Sequence, residues 1–88
     1  MKYPKEITSE VLEQVSHVSD DEIIKDIADT QAEIVSLKKE IDGLTLIAEA
    51  KMGTSDGKMA AFRRDGKQVG LDERLDFVRF LGAVLEAR

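Results

Sequence analysis

The feature that most constrains the fold of this sequence is the stretch from residue 19 to residue 52, where apolar residues recur every seven positions. Ser19 and Glu22 at its start form a capping box, in which each side chain bonds a backbone N–H of the first helical turn. The two apolar heptad positions hold Ile27, Ile34, Ile41 and Ala48 (position a) and Ile23, Thr30, Leu37 and Leu44 (position d). Ile at a with Leu at d is typical of two-stranded coiled coils. The pattern predicts one long helix over residues 19–52, ended by the glycine-rich residues 53–57.

The pair Asp42-Gly43 offers an alternative, because it could end the helix and leave residues 44–52 as a strand. Gly43 falls at an outward heptad position, where a missing side chain removes no core contact. We therefore favour the unbroken helix.

A helix of this length predicts self-association. About 30 residues span ~45 Å, whereas a compact domain of this size has a radius of gyration of ~12 Å. The remaining residues are too few to cover both sides of such a helix, and a chain with no cysteine and one histidine lacks disulfides and multi-histidine metal sites as supports. We expect a dimer or higher oligomer, with a self-association seam formed by Ile27, Ile34, Leu37, Ile41 and Leu44.

Three further elements complete a mainly α, single-domain fold over residues 1–88. Residues 1–18 carry apolar residues three to four positions apart and predict a short N-terminal helix. Residues 53–70 predict a loop and a small β-hairpin, because Asp65-Gly66 between alternating segments favours a type I′ turn. Residues 71–88 predict a C-terminal amphipathic helix.

Catalytic, cofactor and metal sites are not expected. His17 is the only histidine and has no orienting carboxylate in view, and the absence of cysteine excludes a thiol nucleophile. The carboxylates from Asp20 to Asp29 lack the alternating oxygens and central glycine of a calcium loop. The loop from Gly53 to Gly57 lacks the Gly-Lys-Ser/Thr ending of a phosphate-binding loop. We expect a protein that is not an enzyme.

Charge is unevenly distributed. Residues 1–57 carry a net charge of −7 and residues 58–88 a net charge of +2. This balance argues against direct nucleic-acid binding, which needs a concentrated positive field. The N-terminus has no signal peptide pattern, and no apolar run is long enough to span a bilayer. We expect a cytoplasmic protein, or a virion component if it is a phage structural protein.

Two groups of residues are candidates for contact with a partner. Lys58, Arg63, Arg64 and Lys67 in the predicted hairpin could surround an anion or an acidic patch, or could protect a hairpin edge from further pairing. Phe77 and Phe80 could belong to the core or to a partner-facing patch. The identity of the partner does not follow from these residues.

The region from Gly57-Lys58 through Arg64-Asp65-Gly66-Lys67-Gln68-Val69 to the closing helix resembles the head–tail joining proteins of tailed phages, of the lambda gpW type. The resemblance covers residues 44–87, and the additional N-terminal helix and longer second helix depart from that family. It implies a small helix–hairpin–helix protein that helps to connect a filled phage head to its tail.

The leading hypothesis is a non-enzymatic protein-binding or assembly module that acts as a homo-oligomer, with a phage connector as one form of it. The rival hypothesis is a small regulatory or inhibitory protein that blocks a host or defence factor through the acidic helix face of Asp26, Asp29, Glu33 and Glu40. A third is the binding of a small anion by the basic hairpin.

Overall fold

The computed structural model describes residues 3–88 and contains three helices over that range. These are α1 (Ser9–Gln14), α2 (Asp20–Ala50) and α3 (Ser55–Ala87). Helices α2 and α3 run antiparallel as a helical hairpin. The N-terminal segment, residues 3–18, folds over the end at which α2 begins and α3 finishes. The mainly helical fold expected from the sequence is confirmed.

Helix α2 begins where the capping box predicts. The Ser19 hydroxyl accepts a hydrogen bond from the Glu22 backbone N–H at 3.2 Å, and three acidic residues in the first turn favour the positive end of the helix dipole. The helix continues through Asp42-Gly43 without a break. A Cβ at Gly43 would contact nothing within 4 Å. The glycine therefore destabilises α2 only through its low helix propensity.

The β-hairpin predicted within residues 53–70 is wrong, because α3 starts at Ser55 and runs to Ala87 as one helix. Of the predicted loop, residues 53 and 54 lie in the connection between α2 and α3. The Asp65-Gly66 turn signal is local and weak. A short connection instead lets α3 return along α2 and bury Ala60 and Leu71. Residues 58–64 are mostly good helix formers, and each interior glycine of the helix, such as Gly66 and Gly70, costs about 1 kcal/mol. Burial along the whole length of α2 outweighs this cost.

The predicted N-terminal helix over residues 1–18 is much shorter than expected. Only Ser9–Gln14 is α-helical, with the Thr8 hydroxyl accepting from the Val11 N–H at 3.3 Å. Met1 and Lys2 lie outside the described residues. The rest of the segment is held by packing, not by helical hydrogen bonds, because its apolar residues lie against α2 and α3.

The core lies at the end that the N-terminal segment covers, which we call the head. Its buried residues are Ile23, Phe80, Leu81 and Val84. Partly buried apolar residues from the N-terminal segment and from both helices surround them: Tyr3, Ile7, Val11, Leu12, Val15, Val18, Ile27, Phe77 and Leu85. The best-packed part of the protein is thus at one end of the helical hairpin.

The molecule is elongated, with a Cα radius of gyration of 17.1 Å and extents of 52 × 21 × 16 Å. A compact chain of this length would have a radius of gyration of ~12 Å. The sequence predicts that the remaining residues cannot cover both sides of α2, and the 33 residues of α3 reach along its whole length. They cover one side of it only.

Candidate functional site: the distal half of the helical hairpin

Exposed apolar side chains are concentrated away from the head. Nine large hydrophobic residues are exposed, and two of them, Ile24 and Leu75, belong to the parts of α2 and α3 nearer the head. The other seven lie between residues 35 and 69, a region that we call the distal half: Val35, Leu46, Ile47, Met52, Met59, Phe62 and Val69. Two helices packed side by side leave most of their circumference uncovered, and the N-terminal segment does not reach this far.

The predicted self-association seam packs within the chain in this structure. Ile34 is buried, and Ile27, Leu37, Ile41 and Leu44 are half-buried on the side of α2 that faces α3. The heptad pattern therefore serves a helix of the same chain, running antiparallel. Whether any of these residues also contributes to self-association stays a prediction.

Two ion pairs define the register of the helical hairpin. Arg74 Nε lies 2.6 Å from Glu33 Oε2, and Lys67 Nζ lies 2.7 Å from Glu40 Oε2. The two pairs are one heptad apart on both helices. Because these side chains are substantially exposed, each pair stabilises the fold by at most about 1 kcal/mol. Glu33 is thus paired with Arg74 of the same chain.

The four basic residues of the predicted hairpin are spread along α3. Lys58 and Lys67 are nine residues apart on a continuous helix, a rise of ~13 Å. Lys58 and Arg64 line one cavity beside the turn between α2 and α3, and Arg63 lines another. Lys67 pairs with Glu40, and Arg64 pairs with Asp65 at 3.4 Å. Within residues 3–88, Lys58 and Arg63 make no ion pair. Whether these residues bind an anion stays a prediction.

Phe77 and Phe80 belong to the head, not to an exposed patch. Phe80 is 8% exposed, and the Tyr3 ring lies 5.2 Å from both phenylalanine rings, centroid to centroid. The exposed aromatic residue is Phe62, at 77%, which the sequence analysis placed in a strand. The signal that could have identified it is the spacing of Phe62, Gly66 and Val69, which share one face if the segment is helical.

Residues 3–88 contain no group of three or more His, Cys, Asp or Glu side chains arranged to hold a metal ion. His17 is exposed in the turn between α1 and α2. None of the helices in residues 3–88 combines the length and the apolar character needed to cross a membrane.

Comparison of the chain with protein-family models, with curated proteins and with solved structures finds no match. The geometry of the distal half is therefore the main guide to function.

Proposed function

We propose that this protein is a non-enzymatic protein-binding or assembly module that acts as a homo-oligomer. The observation that supports the proposal is the distal half, in which seven large hydrophobic side chains are exposed on a two-helix hairpin. Exposed apolar patches of this kind mark interaction surfaces in soluble proteins.

Because the exposed side chains are large, their burial against a partner is favourable. Phe62 is 77% exposed and Met52 is 80% exposed. Full burial of one such side chain is worth roughly 1.5–3 kcal/mol relative to exposure. A partner that covers several of them recovers much of that free energy.

A phage head–tail connector is one form that such an assembly module can take. The residues that carry the resemblance to the joining proteins lie in α3, where a helix replaces the expected hairpin. The connector proposal therefore depends on the tendency to assemble, not on a shared hairpin.

The rival proposal, inhibition of a host or defence factor through an acidic helix face, has weaker support. Asp26 and Asp29 are exposed, but Glu33 and Glu40 are engaged by Arg74 and Lys67. An incoming basic partner would have to displace two intramolecular ion pairs. Recovery of one stoichiometric host protein from an extract, with no self-association, would favour this rival.

Self-association is measured by sedimentation velocity and light scattering between about 1 and 500 μM, the range of weak to moderate interfaces. We expect a mass above the 9.8 kDa of one chain that rises with concentration. A variant with Leu46, Met52, Met59 and Phe62 all changed to Gln should remain monomeric and helical by circular dichroism. Ile24→Gln, a single change of the same kind at an exposed site beside the head, is the control and should self-associate like the wild type. A wild-type protein that stays at 9.8 kDa throughout contradicts the proposal.

A further inference from the structure

One edge of α3, the side facing away from α2, presents an uninterrupted stripe of exposed residues. The stripe consists of Lys58, Met59, Phe62, Gly66, Val69 and Glu73, all exposed. Lys58, Phe62, Gly66, Val69 and Glu73 are three to four residues apart, which keeps them on one face of the helix, and Met59 lies next to Lys58 at the edge of that face. We call this set the outer stripe.

Gly66 at the centre of the outer stripe has no role in the packing of its own chain. A Cβ at this position would meet nothing within 4 Å. Glycine is unfavourable in the middle of a helix, and alanine would fit this monomer equally well. A residue without a side chain, placed between exposed Phe62 and Val69, allows the backbone of another helix to approach closely.

The charges of the outer stripe indicate that its partner is a second copy of α3. Lys58 lies at one end and Glu73 at the other, at equal distances along the helix from the midpoint beside Gly66. Phe62 and Val69 are likewise symmetric about that midpoint. If a second copy of α3 crosses antiparallel at Gly66, Lys58 of each copy faces Glu73 of the other, and Phe62 faces Val69. Parallel pairing would place like charges together.

Lys58 and Glu73 are available for such pairing. Within residues 3–88 neither side chain takes part in an ion pair, whereas the neighbouring Lys67 and Arg74 are paired with α2. The stripe is thus self-complementary in both charge and apolar content, as a twofold symmetric interface requires.

The shape of the molecule accommodates this pairing. Among residues 3–88, the N-terminal segment is bonded to α3 at Asp76, whose Oδ2 accepts from the Tyr3 backbone N–H at 2.9 Å, and Tyr3 lines a cavity with Glu73 and Arg74. With the crossing at Gly66, Asp76 of one copy lies opposite Ser55, the first residue of α3 in the other. The head of each copy is therefore placed beyond the tip of its neighbour, and the open stretch of α3 matches the length of the contact.

We propose that two copies of this protein associate through antiparallel crossing of their outer stripes at Gly66. The proposal rests on the homo-oligomeric function proposed above and specifies its interface. A contact ~24 Å long and about 10 Å wide covers ~240 Å² of each copy, or ~480 Å² in total, well below the ~1,200 Å² of stable complexes. The dissociation constant should therefore lie in the micromolar range or weaker.

The test is a charge exchange measured by sedimentation at low salt, where exposed charges are least screened. Lys58→Glu and Glu73→Lys each place like charges at both ends of the contact, and each should weaken self-association about fivefold or more. A one-to-one mixture of the two variants should form a heterodimer at least as tight as the wild-type pair, because both ends are then complementary. Lys39→Glu, an exposed change on α2, is the matched control and should leave the dissociation constant unchanged.

A second pair of variants tests the apolar part. Phe62→Ala should weaken self-association tenfold or more, while Leu46→Ala, an exposed apolar truncation on the outer side of α2, should have no effect. The interface is wrong if the wild type self-associates, the two charge variants do not prefer to form a heterodimer, and Phe62→Ala leaves the dissociation constant unchanged. The proposed homo-oligomer would then still stand. If the wild type is monomeric at every concentration, both proposals fail.

Discussion

At the scale of single residues, the turn between α2 and α3 depends on Thr54 and two glycines. The Thr54 hydroxyl donates to the Lys51 carbonyl at 2.6 Å and accepts from the Gly57 N–H at 3.1 Å. It therefore satisfies the end of one helix and the start of the next. Gly53 has a φ of +84°, in the left-handed region where a side chain would be strained.

Gly57 is required for a different reason, the close approach of two backbone segments. A Cβ at this position would lie 2.1 Å from the Lys51 carbonyl oxygen, a contact that only a backbone shift could relieve. We predict that Gly57→Ala lowers the free energy of unfolding by about 1–3 kcal/mol, the cost typical of overpacking. Thermal denaturation followed by circular dichroism measures the change.

Gly43→Ala is the control for this prediction. It makes the same substitution in the exposed middle of α2, where a Cβ meets nothing, and should raise the free energy of unfolding by about 0.5–1 kcal/mol. Changes of the same sign in the two variants would show that helix propensity, not the contact with Lys51, determines the effect at position 57.

At the scale of elements, the N-terminal segment is anchored by Arg79 of α3 and by Arg88, the C-cap residue of that helix. The Arg79 guanidinium donates to the Tyr3 and Pro4 carbonyl oxygens at 3.3 and 3.1 Å, and it also bonds Asp76 Oδ1. Arg88 donates to the Val15 carbonyl at 2.6 Å. A segment with only six α-helical residues thus keeps its place through contacts to another helix.

We predict that Arg79→Ala loosens the N-terminal segment and costs about 1 kcal/mol, in line with the loss of charge-assisted hydrogen bonds on a partly exposed group. The chain has one tyrosine and no tryptophan, so intrinsic fluorescence reports on Tyr3 alone. We expect the environment of Tyr3 to become more solvent-exposed in the variant.

Arg74→Ala removes an arginine of similar exposure that pairs with Glu33 at the surface, and it provides the comparison. It should cost less than ~0.5 kcal/mol and leave the packing of Tyr3 against Phe77 and Phe80 intact. A larger effect on the Tyr3 signal from Arg74→Ala than from Arg79→Ala would be incompatible with the anchoring role of Arg79.

Residues 53–70 show where local sequence signals fail. The capping box at Ser19 correctly predicts the start of α2, since both of its partners lie within one helical turn. The Asp65-Gly66 turn signal is equally local, but α2 offers residues 55–73 a long apolar surface at the right distance. Tertiary burial of Ala60 and Leu71 overrides a turn propensity worth about 1 kcal/mol.

At the scale of the whole molecule, packing density falls from the head to the tip of the helical hairpin. Ile23 and Val84, the most completely buried large side chains, are both in the head. The distal half has solvent on several sides. A region with few buried apolar contacts opens locally more easily than a region with many. Local stability should therefore fall from the head to the tip of the helical hairpin.

We predict that amide hydrogen exchange in dilute, monomeric protein is slowest around Ile23 and Val84 and fastest around residues 46–60. At high concentration, where the proposed pairing occurs, protection should rise in α3 around Gly66 and remain unchanged around Leu46. Uniform protection along both helices in dilute protein would contradict the gradient.

The surface proposed for self-association could be predicted only in part, because the local turn signal at Asp65-Gly66 favours a hairpin over a continuous helix. The sequence predicts self-association through a seam on α2, and partner contact through the four basic residues, Phe77 and Phe80. Self-association stays a prediction, and Phe77 and Phe80 lie in the head. With 58–70 taken as a hairpin, Phe62, Gly66 and Val69 do not share a face. The outer stripe becomes visible only once α3 is continuous.

The sequence by itself determined the helical character of residues 20–50, their start at the Ser19 cap and the apolar face of α2, because these depend on contacts within one or two turns. It also determined that the chain has more apolar surface than it can bury. Only the tertiary structure decided what α2 packs against. The pairing of two helices depends on a four-residue turn, Lys51–Thr54, and on side chains far apart in the chain, whose combined burial exceeds any local preference. The packing of α3 against α2 also leaves Phe62 exposed and buries Phe80.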